Sequence, residues 1–373
     1  MAAILYVSKP LSPPWNDSGK NLVRDLAEAS ERHQIEIFAG PGFSAENSRI
    51  RVRRRLAKSA YAPGLSQRAA IFASLLAVPR SIGLLHFFFA PNPLTSAIAR
   101  VALGLNRRPA IQTVSSSPAD YGGVAGLCFG LRVVALSEYN RRKLSEAGVG
   151  GVVKIHPGID LNRQAENVAG AAQWREKLDA AERRVVLYAG DYEFSQGAQL
   201  TLDAVAPLRK RVPEVLVIFA CRRKTPAAGP VESRIRAEAE SRQLGDHVRF
   251  LNEVDDMPGL LSLAELSMMP VERLYAKMDM PLVLLEHMAL GRPVVVSDSE
   301  PLAEVLQGGG GGVAVPHGDI EQLAGAVAEF LRDDRARRDA GAAARHIVET
   351  HFDVNKSAAA YADLYDEVLG SEG

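Results

Sequence analysis

The stretch from Met278 to Asp298 holds the residue types and spacing best suited to chemistry. Pro281 suits the first position of a helix, and Leu282, Leu285, Met288 and Ala289 recur at helical spacing. Gly291 stops that helix and Pro293 prevents its return, after which Val294, Val295 and Val296 read as a buried parallel strand. The expected helix start near Pro281 and Leu282 leaves backbone N–H groups unpaired and carries partial positive charge, which suits a phosphate. Glu286 lies about one turn further in, where its carboxylate can accept hydrogen bonds from sugar or ribose hydroxyls beside that phosphate. A core helix with a chance acidic residue has the same pattern, and one helix with one strand identifies no chemistry alone.

The elements that would position this stretch alternate along the whole chain. Ala3 to Val7 reads as a strand, followed by a proline-rich loop over 10–15 and the turn Asn16-Asp17-Ser18-Gly19. A helix over 20–33 and a strand at Ile35 to Phe38 complete a strand, loop, helix, strand unit, and glycine at position 19 would let backbone approach a ligand closely. Further strands are expected at Leu84 to Phe89, Ala110 to Val114 and Val133 to Leu136, the last leading into a helix capped by Ser137. His86 reads as a satisfied core histidine. A second β/α series opens at Val185 to Gly190 and runs to the final helices, and the polar stretch from Asn162 to Ala172 reads as the linker between the two series. The sequence has no short fixed repeat.

The chain has 373 residues, enough for two domains with separate cores. Lys and Arg total 44 and so do Asp and Glu, which argues against a generic nucleic-acid binder. Two cysteines, Cys128 and Cys221, have no metal-ligand spacing and imply no disulfide framework, so a reducing cytoplasm is expected. The first residues read as a strand and not a signal peptide, and the apolar runs are shorter than the ~20 residues a bilayer span needs. Arg49 to Arg68 holds seven basic residues and no acidic one, and it begins as a strand with Arg49, Arg51 and Arg53 on one face. This is either a charged edge strand or a surface for anionic lipid or an acceptor phosphate, and the second reading predicts weak, reversible peripheral contact with the cytoplasmic membrane face.

The segment around Glu286 resembles the donor-binding signature of the family 4 glycosyltransferases, Glu-x7-Glu followed by Met-Ala-x-Gly-x-Pro-Val-Val. Glu286 matches the second Glu and Met288 to Val295 match the remainder. Ser137-Glu-Tyr at a helix start and Pro157-Gly-Ile-Asp160 after a strand also match, and the resemblance covers nearly the whole chain. It implies the GT-B fold, an α/β architecture of two Rossmann-like doubly wound domains facing across a cleft. Residues 1–162 would form an acceptor domain, with a returning helix over about 355–373, and residues 163–354 a nucleotide-sugar donor domain. The implied function is transfer of a sugar from a nucleotide sugar to an acceptor hydroxyl with retention, in glycan or glycolipid assembly. No cofactor and no metal are implied.

The resemblance also marks departures. Met278 stands where the first Glu belongs, with Asp279 one place off register. Ser115 replaces a histidine, Asp191 an arginine and Gln196 a lysine. Asp191 would repel a diphosphate. The implied donor-binding set is therefore Gly190, Pro281, Leu282, Glu286 and Ser297, with Arg222, Arg223 and Lys277 as replacement cations; Lys224 and Arg273 lie beside them. Ser18, Gly19 and Ser115 are the expected acceptor or phosphate loop, and no residue is assigned as catalytic. Two functions remain open: a transferase with an unusual donor or acceptor, or a catalytically impaired relative that binds a ligand or stabilises a partner.

Overall fold

The computed structural model describes residues 2–54, 65–76, 78–275 and 277–370. The chain divides into two units, Met1–Asp160 with Ala276–Asp279 and Phe352–Gly373, and Leu161–Tyr275 with Met280–His351.

The first unit contains β1 (Ala3–Leu11), α1 (Ser18–Glu28), β2 (Gln34–Ala39), β3 (Ile50–Arg54), α2 (Leu65–Leu76), β4 (Ile82–Phe88), α3 (Pro93–Asn106), β5 (Ala110–Val114), β6 (Arg132–Ala135), α4 (Glu138–Glu146) and β7 (Val152–Lys154). Its seven strands are parallel in the order β3-β2-β1-β4-β5-β6-β7. The strands are apolar runs because helices cover both faces of the sheet. Leu5, Val7, Leu85 and Phe87 face one side, where they pack with Leu75 of α2 and Ala99 and Ala102 of α3. Alternate residues face the other side, where His86 is fully buried. Its Nδ1 meets the Tyr365 hydroxyl at 2.7 Å and its Nε2 meets Thr113 Oγ1 at 2.7 Å, so it is a core histidine with both nitrogens satisfied.

The second unit contains α5 (Val168–Lys177), β8 (Arg184–Tyr188), α6 (Gly197–Arg211), β9 (Val215–Ala220), α7 (Ala228–Ser241), β10 (Val248–Leu251), α8 (Met257–Leu263), β11 (Leu266–Met269), α9 (Leu282–Ala289), β12 (Val294–Ser297), β13 (Gly312–Val315), α10 (Ile320–Arg332) and α11 (Asp334–His351). Its six strands are also parallel, in the order β10-β9-β8-β11-β12-β13. The last helix, α12 (Val354–Gly370), belongs to the first unit. It is set there by a short bridge in which Ile159 N–H donates to the Phe352 carbonyl at 2.6 Å and Val354 N–H donates to the Ile159 carbonyl at 3.1 Å. Gly158 permits the crossing, since a Cβ there would lie 2.4 Å from Val354 Cα.

Two expectations from the sequence are corrected. The linker does not run to Ala172, because α5 begins at Val168, capped by Asn167 whose side chain accepts from Gly170 N–H at 3.0 Å. Asn167 N–H also donates to Ser262 Oγ at 2.9 Å and Trp174 Nε1 to the Asp256 carbonyl at 2.9 Å, so the alanine-rich stretch becomes a helix docked on α8. The basic run does not present three equivalent arginines. β3 is the edge strand, Arg49 and Arg51 are exposed, and Arg53 is held by the buried Glu36 at 2.5 Å. Arg55 and Lys58, and the side chains of Arg54 and Arg68, lie outside the described residues.

Two stability results are expected. Gly158→Ala should cost roughly 1–3 kcal/mol in urea unfolding, since backbone must move to admit the methyl group. The second concerns two buried imidazoles. His287, on α9, meets Ser267 Oγ at 2.7 Å and the Ala264 carbonyl at 3.1 Å. Burial pushes it down to about 4 and pushes His86 well below the ordinary histidine value. Folded values below unfolded ones mean that stability is complete above pH 6.5 and is lost as pH falls toward the folded values. For His287 a loss on the order of 2 kcal/mol is expected between neutral pH and about pH 5, and His287→Gln should flatten that slope.

Candidate functional site

In the second unit β8 is the innermost early strand, β9 and β10 lie to one side of it, and β11 to β13 lie to the other. The winding therefore reverses between β8 and β11. All strands being parallel, the loops after β8, β9, β11 and β12 emerge at one edge, and those after β8 and β11 part at the reversal, where open α/β sheets bind ligands. Specific contacts join these loops. Thr225, after β9, donates from its N–H and Oγ1 to the Glu193 carboxylate, after β8, at 3.2 and 2.8 Å. Phe194 and Tyr275 rings meet edge-on at 6.1 Å, and Ser299 Oγ donates to the Val271 carbonyl at 3.0 Å.

Gly190 stands at this edge for a packing reason. A Cβ there would lie 2.2 Å from the buried Tyr188 ring, so any side chain would displace the core. Asp191 is 1% exposed and turns inward, with Oδ1 accepting from the N–H groups of Glu193 and Phe194 at 3.0 and 2.8 Å. The acid expected to repel a diphosphate thus shapes the turn that carries the loop away from β8. Gln196 precedes α6 and makes no side-chain cap.

Helix α9 starts at Pro281, which supplies no side-chain cap, leaving the amides of Leu282 and Val283 at its mouth. Its apolar residues Leu284, Leu285, Met288 and Ala289 are buried, while Glu286 is only partly buried. Ser297 ends β12 at 1% exposure, and among the described residues its Oγ has no hydrogen-bond partner. Arg222 and Arg223 follow β9. Arg223 is not a loose cation: its Nε donates to Glu232 at 2.7 Å, and Arg236 meets the same buried carboxylate at 2.7 Å. Burial would raise Glu232, but the two guanidiniums outweigh it and hold the carboxyl below its ordinary range. Arg223 is therefore already engaged in an ion pair with a buried acid.

The remaining candidates belong to the first unit. Ser18 and Gly19 lie in the first turn of α1, which Asp17 already caps, its Oδ1 accepting from Lys20 N–H at 3.1 Å. Lys9 Nζ holds the other oxygen of Asp17 at 2.9 Å, so this helix mouth is occupied by the protein's own carboxylate. Ser115 follows β5 and is partly buried. Lys277 is grouped with the first unit, unlike Glu286. Sequence reading missed the surroundings of Asp279, which is fully buried. Ser117 Oγ donates to it at 2.6 Å, Ser137 Oγ at 3.0 Å, and Asn140 Nδ2 closes the set, itself held by Tyr121. Only the helix-cap pattern at Ser137 hinted at this cluster. Among the described residues no three His, Cys, Asp or Glu side chains converge as metal ligands.

Residues 171–347 match the family described as "Glycosyl transferases group 1". A mannosyltransferase of Mycobacterium tuberculosis, named GDP-mannose-dependent alpha-(1-6)-phosphatidylinositol monomannoside mannosyltransferase, is 28% identical over 62% of this chain and 60% of its own length. The phosphatidyl-myo-inositol mannosyltransferase of Mycolicibacterium smegmatis is 30% identical over 64% of this chain and 58% of its own. The chain thus spans about three fifths of the length of these relatives. Among solved structures, Anabaena Alr3699/HepE in complex with UDP and glucose superposes with a TM-score of 0.77 over 98% of this chain and 99% of its own, at 19% identity. Sucrose-phosphate synthase of Thermosynechococcus elongatus does so at 0.74 over the whole of both chains, at 18% identity. With two parallel Rossmann-like units the chain has the GT-B fold, and residues 171–347, carrying the motif around Glu286, match the glycosyl transferases group 1 family.

Proposed function

We propose that this chain moves a sugar from a nucleotide-sugar donor to an acceptor hydroxyl with retention, in the assembly of a glycan or glycolipid. The observation that carries the reading is the winding reversal between β8 and β11, where the Gly190 loop and the run into α9 meet at one edge of the second sheet. The names of the mycobacterial relatives, which specify GDP-mannose and a phosphatidylinositol mannoside, support a nucleotide-sugar donor and a lipid-linked acceptor class.

Such transfer needs stabilisation of a departing diphosphate, hydrogen bonds that hold the sugar and ribose, and an acceptor hydroxyl approaching with water excluded. The proposal gives the diphosphate to the amides of Leu282 and Val283 at the Pro281 end of α9, with Arg222 as cation. Arg223 supports Arg222's loop through Glu232. Glu286 accepts from donor hydroxyls, the Ser297 hydroxyl supplies a buried donor and acceptor, and Gly190 keeps the floor of the site low. Ser18, Gly19 and Ser115, on the first unit, are the residues proposed to meet the acceptor. With Asp17 already capping α1, that loop offers hydroxyls and not a second phosphate pocket. The reaction proposed draws on no bound metal or organic cofactor.

Calorimetry with a panel that includes GDP-mannose, UDP-glucose, GDP and UDP tests the reading. One member should bind, and Glu286→Ala should weaken the intact donor by roughly 1–3 kcal/mol. Unchanged affinity with the fold intact removes Glu286 from the site. Arg222→Ala should weaken the bare diphosphate by about 1–2 kcal/mol. Arg223→Ala should instead lower the melting temperature, because Glu232 keeps only Arg236. The reverse pattern would exchange the roles of the two arginines.

A further inference from the structure

We propose that Phe194 and Tyr275 form an aromatic wall across the winding reversal of the second sheet, and that the C–H face of the donor's sugar ring packs against it. The inference rests on the donor reading above and assigns the part of the donor that this side of the edge holds. Both residues belong to the second unit. Phe194 is on the loop after β8 and Tyr275 on the loop after β11, the two loops that part where the winding reverses. Their ring centroids are 6.1 Å apart and their planes cross at 78°, so the pair itself covers at most one ring face. Tyr275 is 43% exposed, and among the described residues of the second unit it is the one exposed aromatic side chain; Trp174, Tyr188, Tyr192 and Phe219 are buried. Its loop is not slack. Val271 and Leu274 are buried, and Ser299 Oγ donates to the Val271 carbonyl at 3.0 Å. The tyrosine is left outside the core by an anchored backbone.

Phe194 is set in place by the residue that stands where a cation was expected. Asp191 Oδ1 accepts from the Phe194 N–H at 2.8 Å and from the Glu193 N–H at 3.0 Å, so the inward turn of Asp191 fixes the backbone that carries the ring. Glu193 in turn accepts from the N–H and Oγ1 of Thr225 at 3.2 and 2.8 Å, which ties in the loop after β9. One base is told from another by hydrogen bonds in its plane. The polar groups of this part of the edge are already committed: Asp191 to two amides, Glu193 to Thr225 and Ser299 to Val271. What the pair adds toward a ligand is ring surface. A pyranose carries C–H groups on its face and hydroxyls around its rim, so it can lie on an aromatic ring without leaving a hydroxyl unpaired. With Asp191 and Gln196 in place of the two expected cations, the edge exchanges charge for apolar contact, and apolar contact is not screened by salt.

The test is calorimetry with two ligand pairs, UDP with UDP-glucose and GDP with GDP-mannose, followed through with the pair that the parent binds. Tyr275→Ala and Phe194→Leu should each weaken the nucleotide sugar roughly three- to tenfold and leave the bare diphosphate within about twofold of the parent. Tyr275→Phe should match the parent, because the ring and not the hydroxyl makes the contact. The ratio of the two Kd values, which isolates the sugar, should be the same at low and high salt. Tyr275 is exposed and Phe194→Leu keeps an apolar side chain, so the melting temperature should stay close to that of the parent. Three results would each overturn the assignment while leaving the donor reading in place: nucleotide-sugar affinity unchanged in both variants, an equal loss for diphosphate and nucleotide sugar, which puts the base on the wall, or Tyr275→Phe as weak as Tyr275→Ala. A parent that binds neither pair overturns the donor reading and this assignment with it.

Discussion

Strand direction is the constraint on which the rest depends. Because every strand in each unit runs parallel, every crossover must return over a sheet face and every carboxyl-end loop must emerge at the same edge. The fold therefore gathers residues from distant parts of the chain without any of them contributing to the gathering. Gly190, Arg222, Pro281 and Ser297 share an edge because Val186, Val217, Met268 and Val295 are buried side by side in one core. The burial that drives this is large and nonspecific, and it leaves those loop residues that do not pack on the core, as Gly190 does, free to vary.

That freedom is visible in the electrostatics of the edge. Charges here are held by the scaffold. Asp191 satisfies two backbone amides of its own turn, and Glu232 binds two arginines. What these arrangements leave toward an anion is mostly uncharged: the amides at the mouth of α9 and the hydroxyl of Ser297. A helix mouth stabilises negative charge through fixed dipoles that need no reorganisation, so the proposed donor edge does not depend on formal cations alone.

The two faces of the first sheet differ for a related reason. The face under α12 carries a hydrogen-bonded group, His86, Thr113, Tyr361, Tyr365 and Tyr6, in which each buried polar atom meets another. Such a network fixes one arrangement, since partial satisfaction is costly. The opposite face is mainly apolar, with Glu36 and Gln112 among its buried residues, and is covered by α2 and α3, which carry apolar surface outward. One sheet thus supports a specific, polar junction with the last helix on one side and an aliphatic, cationic exterior on the other.

The sequence by itself determined the alternation of strand and helix, the buried character of the strands, the helix start at Pro281 and the stop at Gly291, because these depend on local periodicity and on backbone chemistry that no distant contact alters. It also carried the family motif around Glu286. It could not show that Asn162 to Ala172 would be half helix, since that outcome depends on Trp174 and Asn167 finding Asp256 and Ser262 far along the chain. Nor could it show that Arg223 has Glu232, that Asp191 turns inward, or that Asp279 sits among Ser117, Ser137 and Asn140. Charge type is written in the sequence, but whether a charge faces solvent, a ligand or a partner is decided by which side chains the tertiary fold brings within hydrogen-bond distance. Only the packing of α3 against its sheet revealed which of its apolar residues are core and which remain outside.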